Sequence, residues 1–308
     1  MTARGRESVL ILVGPTGVGK TEVGFHLARL TGGEIISADS RLVYRGLDIA
    51  TAKPAMRMRD QVTHHLIDVV DPDEEYTCKM YEKHARLAVR DILKRGKTPV
   101  VVGGTGLYLR ALTDGIFEGP GRDEALRARL EAEAEAGGKL SLWERLNSVD
   151  PVKAGMIDPE NLVRVIRALE VYELTGKPMS DLEQSAEPLG IPYVKVGLTR
   201  AREELYRLID GRVEAMFEEG LVDEAKRLVE EGFGDRAVLR NTLGYQEVLA
   251  YLDGSITYVE AAYLLKRNTR RFAKRQMTWF RKEKHITWFD ITGRTDFPQI
   301  AKQIAHKK

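Results

Sequence analysis

Cysteine is almost missing from this chain. Its 308 residues include one, Cys78, so no disulfide can form within it, a usage that fits a reducing compartment. Long apolar runs are missing as well. None approaches the ~20 residues of a membrane span, and Met1-Thr2-Ala3-Arg4-Gly5-Arg6-Glu7 leads into the first apolar segment without a signal-peptide core. No membrane partner is expected, and the cytoplasm is the expected location. An excess of one charge sign is missing too: 48 Lys and Arg against 46 Asp and Glu leave +2. A nucleic-acid partner therefore has to be argued from local charge. The 43% hydrophobic and 31% charged residues read as soluble and globular, with length for one to three domains.

The strongest signal present is Gly14-Pro15-Thr16-Gly17-Val18-Gly19-Lys20-Thr21. It follows the apolar run Val9–Val13 and opens a helical segment, 22–30. Strand, glycine loop, Lys-Thr and helix in that order make a phosphate-binding P-loop. The glycines let backbone N–H groups turn toward an anion, and the helix N-terminus adds partial positive charge. Lys20 adds a full charge, and the Thr21 hydroxyl can reach Mg²⁺. A second strand, 34–38, ends at Asp39-Ser40. In an open parallel sheet, ligands sit beyond the carboxyl ends of the strands, so Asp39 is placed to hold Mg²⁺ or accept a proton. Its alternative role is an N-cap for the segment after it.

One further absence narrows the class. The apolar strand Pro99-Val100-Val101-Val102 ends in Gly103-Gly104-Thr105-Gly106, where many P-loop NTPases carry an acidic Mg²⁺ ligand. That argues against a motor-type ATPase and for a small-molecule kinase or another phosphate-handling transferase. The GGTG turn is a second strand–glycine–helix junction, able to bring backbone N–H groups and the Thr105 hydroxyl to the same sheet edge.

Elsewhere the pattern is mostly helical. Residues 41–80 have little periodicity. Adjacent His64 and His65 point apart on a strand and are not spaced as a metal site, so at least one is expected to be structural, and Cys78 is expected to be a packed thiol. Residues 81–95 form an amphipathic helix. From 119 to about 192 the chain is helical, with runs at 123–136 and 140–146. A further helix starts at Asp158-Pro159 and continues to Leu174. Strand character returns at 193–198, followed by helices at 202–219, 222–231 and 245–252. The last long helix is 257–284, and its part from Lys266 onward carries Lys266, Arg267, Arg270, Arg271, Lys274, Arg275, Arg281, Lys282 and Lys284 against one acid, Glu283. Its interleaved Phe272, Trp279 and Phe280 make it a candidate nucleic-acid surface. A strand at 286–290 and a basic tail end the chain. The expected fold is α/β: a P-loop NTPase-like parallel sheet core, 1–118 with 193–308, a helical insertion, 119–192, and a helical C-terminal part.

At this point a family resemblance can be read. The matching blocks are the P-loop, Asp39-Ser40 through Val43-Tyr44-Arg45-Gly46, Thr51-Ala52-Lys53-Pro54 and His64-His65-Leu66-Ile67-Asp68. Gly103-Gly104-Thr105-Gly106-Leu107-Tyr108, Arg164, Arg167-Ala168-Leu169-Glu170, Gly244-Tyr245 and Ala273-Lys274-Arg275-Gln276 with Thr278-Trp279-Phe280 continue the match. Together they resemble the tRNA dimethylallyltransferase (isopentenyl-tRNA transferase) family, in its bacterial form because paired cysteines of a zinc-finger tail are absent. Two departures are Ala50, often Gly in the family, and Asp158-Pro159-Glu160-Asn161, often His-Pro-Asn-Asp.

The resemblance implies transfer of a dimethylallyl group from dimethylallyl diphosphate to the exocyclic N6 amine of adenosine 37. That adenosine lies 3′ of the anticodon in tRNAs reading codons that begin with U, and diphosphate is released. It implies that Gly14 to Thr21 and Arg212 bind diphosphate, that Thr21 meets Mg²⁺, and that Asp39 is the base with Thr105 in the same pocket. It further implies tRNA contacts from Asp39-Ser40-Arg41-Leu42, Thr105, Arg127, Val163-Arg164-Val165-Ile166-Arg167, Gly244-Tyr245, and Arg271 with Lys274 on the basic helix. A monomer is expected. The alternative is a P-loop small-molecule or nucleoside kinase binding ATP, which would need neither the insertion nor the basic helix. A non-catalytic RNA-binding module would not need Lys20, Thr21 and Asp39 at one sheet edge.

Overall fold

The computed structural model describes residues 8–306; the heptapeptide read above for a signal core and Lys307-Lys308 of the basic tail lie outside the described residues. The elements run β1 (Val9–Val13), α1 (Lys20–Thr31), β2 (Glu34–Ala38), α2 (Met56–Arg59), β3 (His64–His65), α3 (Cys78–Lys94), β4 (Pro99–Gly103) and α4 (Gly106–Asp114). A helical stretch comes next: α5 (Glu124–Gly137), α6 (Lys139–Val149), α7 (Pro151–Ala154), α8 (Leu162–Thr175) and α9 (Met179–Glu183). The remainder is β5 (Tyr193–Thr199), α10 (Arg202–Glu218), α11 (Leu221–Glu230), α12 (Ala237–Arg240), α13 (Tyr245–Leu252), α14 (Tyr258–Lys282), β6 (Ile286–Asp290) and α15 (Phe297–His306).

The strands form one six-stranded sheet, β3-β2-β4-β1-β5-β6, with every pairing parallel. Parallel strands buried on both faces read as unbroken apolar runs, and β1 is buried at all five positions. The chain divides into two compact units, one of the residues up to Leu112 and from Gly190 onward, the other Thr113–Leu189. The first has a core of Leu10, Leu12, Val23, Leu27, Val100, Leu198 and Ile209, with Ile300 and Ile304 of α15 packed into it. Sequence periodicity missed α15 within the basic tail. Among the described residues, no helix is long and apolar enough to cross a membrane.

The second unit is helical and has its own core of Leu130, Leu142, Leu146, Val165, Ile166 and Leu169. Asp158-Pro159 does not start a helix as expected. Asp158 accepts from the N–H groups of Glu160, 2.9 Å, and Asn161, 2.8 Å, in a turn, and the helix begins at Leu162. A short polar side chain competes with the helix for backbone donors, so the same residue that signals a cap can end in a turn.

Glu170 of α8 is fully buried and accepts from Arg127 Nε and Nη2, 2.8 and 2.9 Å, from Arg167 Nη1, 2.5 Å, and from the Asp123 N–H, 2.8 Å. Burial pushes its carboxyl up, but the hydrogen bonds from Arg127, Asp123 and Arg167 outweigh it and bring it down to about 2. Glu170→Gln is expected to destabilise the helical unit by about 3 kcal/mol at neutral pH, because two guanidiniums lose their buried counter-charge. A carboxyl depressed on folding stabilises above its unfolded value of about 4.3 and loses that contribution as pH falls through about 2. The gap between wild type and variant in urea melts should therefore close in acid. Equal midpoints at pH 7 would remove Glu170 from this role.

Candidate active site

β2, β4 and β1 are neighbours in the sheet, so the turns leaving their carboxyl ends lie side by side at one edge, where open α/β sheets bind ligands. β1 feeds the P-loop, in which Gly17 and Gly19 hold φ of 79° and 105°. A side chain at Gly19 would be strained there, and its Cβ would come within 3.0 Å of the Phe297 ring. β2 sets Ile35, Ser37 and, beyond its end, Asp39 on one face by the period of two. Together these turns line a cavity of about 500 Å³. Thr16 to Glu22, Asp39 and Arg212 form its polar wall, and Ile35, Leu42, Pro54, Met58, Ile67 and Val102 line its apolar part. Gly14 and Pro15 shape the loop without reaching the wall.

Lys20 Nζ donates to Pro15 O, 2.8 Å, across its own loop. Burial lowers its pKa to about 8; the Asp39 charge opposes that and Arg212 adds to it. Arg212 lies on α10, 196 positions from Thr16, and its Nη2 donates to Thr16 Oγ1 at 2.9 Å. Burial lowers this guanidinium as well, against the charge of Asp39, and its buried Nε has no hydrogen-bond partner among the described residues. Two partly buried cations, one with an unmet buried donor, make this wall favourable for an anion. Two other cations on the wall are occupied. Lys53 is held by Asp48 and Asp68, both 2.5 Å. Arg200 pairs with Glu204 and donates to Val18 O, Ile291 O and Arg294 O at 3.0, 2.9 and 2.9 Å.

Asp39 caps no helix. Its Oδ1 accepts from the Arg41 N–H, 2.8 Å, closing a turn of the kind that caps helices, although no helix comes directly after it. Its second oxygen receives no hydrogen bond from the described residues. Thr105 is absent from the cavity wall. Its Oγ1 accepts from the Ser40 N–H, 3.1 Å, and its N–H donates to Ala38 O, 3.1 Å, so it braces the turn after Asp39. Arg41 donates to Asn241 O, 3.1 Å, and Leu42 lines the cavity.

The remaining sequence candidates fall into three groups. Val163, 73% exposed, and Arg164 face solvent on the helical unit, whereas the side chains of Val165 and Ile166 belong to its core and those of Arg127 and Arg167 hold Glu170. Gly244 and Tyr245, read from the resemblance as tRNA contacts, are buried. The Tyr245 hydroxyl donates to Glu224, 2.6 Å, and a Cβ on Gly244 would meet that of Ala50 at 2.8 Å. Arg271 and Lys274 are exposed and line an open groove of about 430 Å³ with Arg275 and Thr278.

The nine-to-one charge ratio of 266–284 overstates the free charge of α14 and the residues after it. Lys266 pairs with Glu214 and Arg270 with Asp210, both on α10. The aromatics pack against protein: Phe280 is buried, and Trp279 lies under Arg110 at 4.7 Å. His65 has the structural role expected of one of the pair, bonding Glu34 at 2.7 Å, and His64 lines the cavity. Cys78 is a partly buried thiol, pushed up to about 12 by burial.

A family model described as IPP transferase matches residues 42–283. A tRNA dimethylallyltransferase of Pelotomaculum thermopropionicum is 48% identical over 97% of this chain and 96% of its own length. The chain belongs to the IPP transferase family. The solved tRNA isopentenylpyrophosphate transferase of Bacillus halodurans, another IPP transferase, is 43% identical with a TM-score of 0.72, over 98% of this chain and 95% of its own. A eukaryotic dimethylallyltransferase solved acting on tRNA is 29% identical with a TM-score of 0.80, over 97% of this chain and 77% of its own. The matched family segment begins after the P-loop and ends before α15, so this IPP transferase completes its cavity with residues on both sides of the segment, Thr16 to Thr21 and Phe297. Gln276, Arg200 and Phe297 were not singled out as site residues from sequence. Contacts 182 positions apart for Arg200 and 260 for Gln276 fix the first two, and such contacts leave no local trace in the sequence.

Proposed function

We propose that this protein transfers a dimethylallyl group from dimethylallyl diphosphate to the N6 amine of adenosine 37 in tRNA. The observation that carries the reading is one cavity with two partly buried cations, Lys20 and Arg212, on one side and the Asp39 carboxylate beside them. Nitrogen attacks the allylic carbon, the carbon–oxygen bond to diphosphate breaks, and Asp39 takes the amine proton. The amine is a poor nucleophile because its lone pair is delocalised, so base assistance of ~10²–10⁴-fold matters. Lys20, Arg212 and the loop amides meet the charge that collects on the departing diphosphate. The apolar part of the cavity receives the prenyl chain and excludes water from the allylic cation-like centre. A base in the anticodon loop reaches such a cavity by turning out of its stack.

Mg²⁺ belongs to this reading. Thr21 lines the cavity at the start of α1, and no group of three or more metal-ligating side chains occurs among the described residues. One hydroxyl completed by phosphate oxygens and water is the ligand set Mg²⁺ takes at such loops, so the residues present fit it. Thr21 would hold the ion, which when bound neutralises charge on the diphosphate.

Arg271 and Lys274 are proposed to meet RNA phosphate. Replacing both by alanine is expected to reduce the slope of log affinity against log salt by about 1.5, from ~0.7–0.9 per contact. Filter binding of an anticodon stem-loop at several salt concentrations measures it; an unaltered slope would mean that this face is only solvated. The reading as a whole is tested by incubating the protein with Mg²⁺, labelled dimethylallyl diphosphate and unmodified tRNA, with labelled ATP in parallel tubes. Label entering RNA from the prenyl donor supports it. Phosphoryl transfer to a small acceptor without prenyl transfer replaces it with a kinase.

A further inference from the structure

Gln276 sits on α14 and is buried, 7% exposed. Its Oε1 accepts from the Thr16 N–H of the P-loop at 2.8 Å, and its Nε2 donates to Gly104 O at 2.9 Å. One amide thus joins the two glycine junctions of the sheet edge. Thr16 stands on the diphosphate side, where its hydroxyl also receives Arg212. Gly104 precedes Thr105, whose hydroxyl holds the turn after Asp39. The contact is close: a Cβ on Gly104 would lie 2.3 Å from Gln276 Nε2, so glycine there is what admits the amide. Because the Thr16 N–H is already committed to Gln276, it is not among the loop donors offered to an anion.

We propose that Gln276 is a positioning residue that sets the separation between the diphosphate-binding loop and the Asp39 turn, and so aligns the prenyl donor with the attacking amine. The inference rests on the transfer reading above. A bidentate side-chain amide suits this task because it must accept on one side and donate on the other, and misplacement of reacting groups by about 1 Å costs about 10²-fold in rate. The loss should appear in kcat. The groups that bind each substrate remain, so KM for the donor and for RNA should change little.

The test uses Gln276→Leu and Gln276→Glu in the full chain. Gln276→Leu is expected to lower kcat about 10–100-fold with both KM values within threefold. Gln276→Glu still accepts from Thr16 but as a carboxylate faces Gly104 O without a proton; protonated, it regains both bonds. Its rate relative to wild type should rise as pH falls, a readout that loss of packing alone would not give and one that survives if the leucine variant folds poorly. An unchanged kcat, a rise in KM matching the fall in rate, or a flat ratio across pH would each overturn the proposal. Affinity for inorganic diphosphate with Mg²⁺, measured by calorimetry without any turnover, is expected to stay within threefold in Gln276→Leu. A larger loss would show that Gln276 maintains the binding loop itself, contrary to the proposal. If wild type transfers no prenyl group, the transfer reading fails on its own control, and the calorimetric result still judges Gln276.

Discussion

Asp39→Asn is expected to lower prenyl transfer about 10²–10⁴-fold while leaving tRNA affinity within a few-fold. Asparagine is the informative replacement because its amide oxygen can still accept from the Arg41 N–H that Asp39 Oδ1 now receives at 2.8 Å. The turn that presents Ser40, Arg41 and Leu42 is then kept, and only the basic carboxylate is lost. The size of the effect is the ordinary contribution of a positioned general base. Asp39→Ala removes the turn's hydrogen bond as well, worth about 1 kcal/mol, or roughly fivefold, and that increment should fall on tRNA affinity. Single-turnover rates and filter-binding constants for the two variants separate the terms. Full turnover with weakened RNA binding in Asp39→Asn would make Asp39 a recognition residue.

Lys20→Ala should reduce kcat/KM for dimethylallyl diphosphate about 10²–10³-fold. The helix N-terminus behind the loop contributes typically 0.3–1 kcal/mol toward an anion, whereas losing a preorganised donor to developing charge costs about 2.7–4 kcal/mol. The backbone cradle therefore cannot replace the ammonium. Arg212 does not replace it either, since it already meets the diphosphate from its own place on α10 and its charge is present with or without Lys20. Because the one hydrogen bond of Lys20 Nζ among the described residues stays within its own loop, to Pro15 O at 2.8 Å, its loss ties down no other element, and the alanine variant should keep its fold and its affinity for RNA. Initial rates over a range of donor concentrations decide the matter, and an unchanged donor requirement would remove the P-loop from diphosphate binding.

How much of this could be read from the residues depended on whether the cause was local. The P-loop was legible because strand, glycines, Lys20, Thr21 and helix are consecutive, and Asp39 because a strand end places it. Helices 202–219 and 257–284 came within two residues of α10 and α14. β3 was not legible: two residues, His64 and His65, held by pairing to β2, leave no periodic trace. α15 was hidden because its apolar face is defined by packing against the core formed around α1. The basic helix looked freer than it is because its acids, Asp210 and Glu214, lie more than fifty positions earlier. Tyr245 was read as a tRNA contact from a matched block, and the fold gives its hydroxyl to Glu224, 21 positions away. Gln276 could be found only once the fold had brought Thr16 and Gly104 together.

The central claim is that the amine of one adenosine and the diphosphate donor meet in the cavity between Lys20 and Asp39. The most direct measurement compares two anticodon stem-loops identical except at position 37, one with adenosine and one with inosine, which lacks the exocyclic amine. Each is incubated with enzyme, Mg²⁺ and labelled dimethylallyl diphosphate. The account predicts label in the adenosine RNA, none in the inosine RNA, and one diphosphate released per label transferred. Equal labelling of both, or release of diphosphate without label in either, would contradict it.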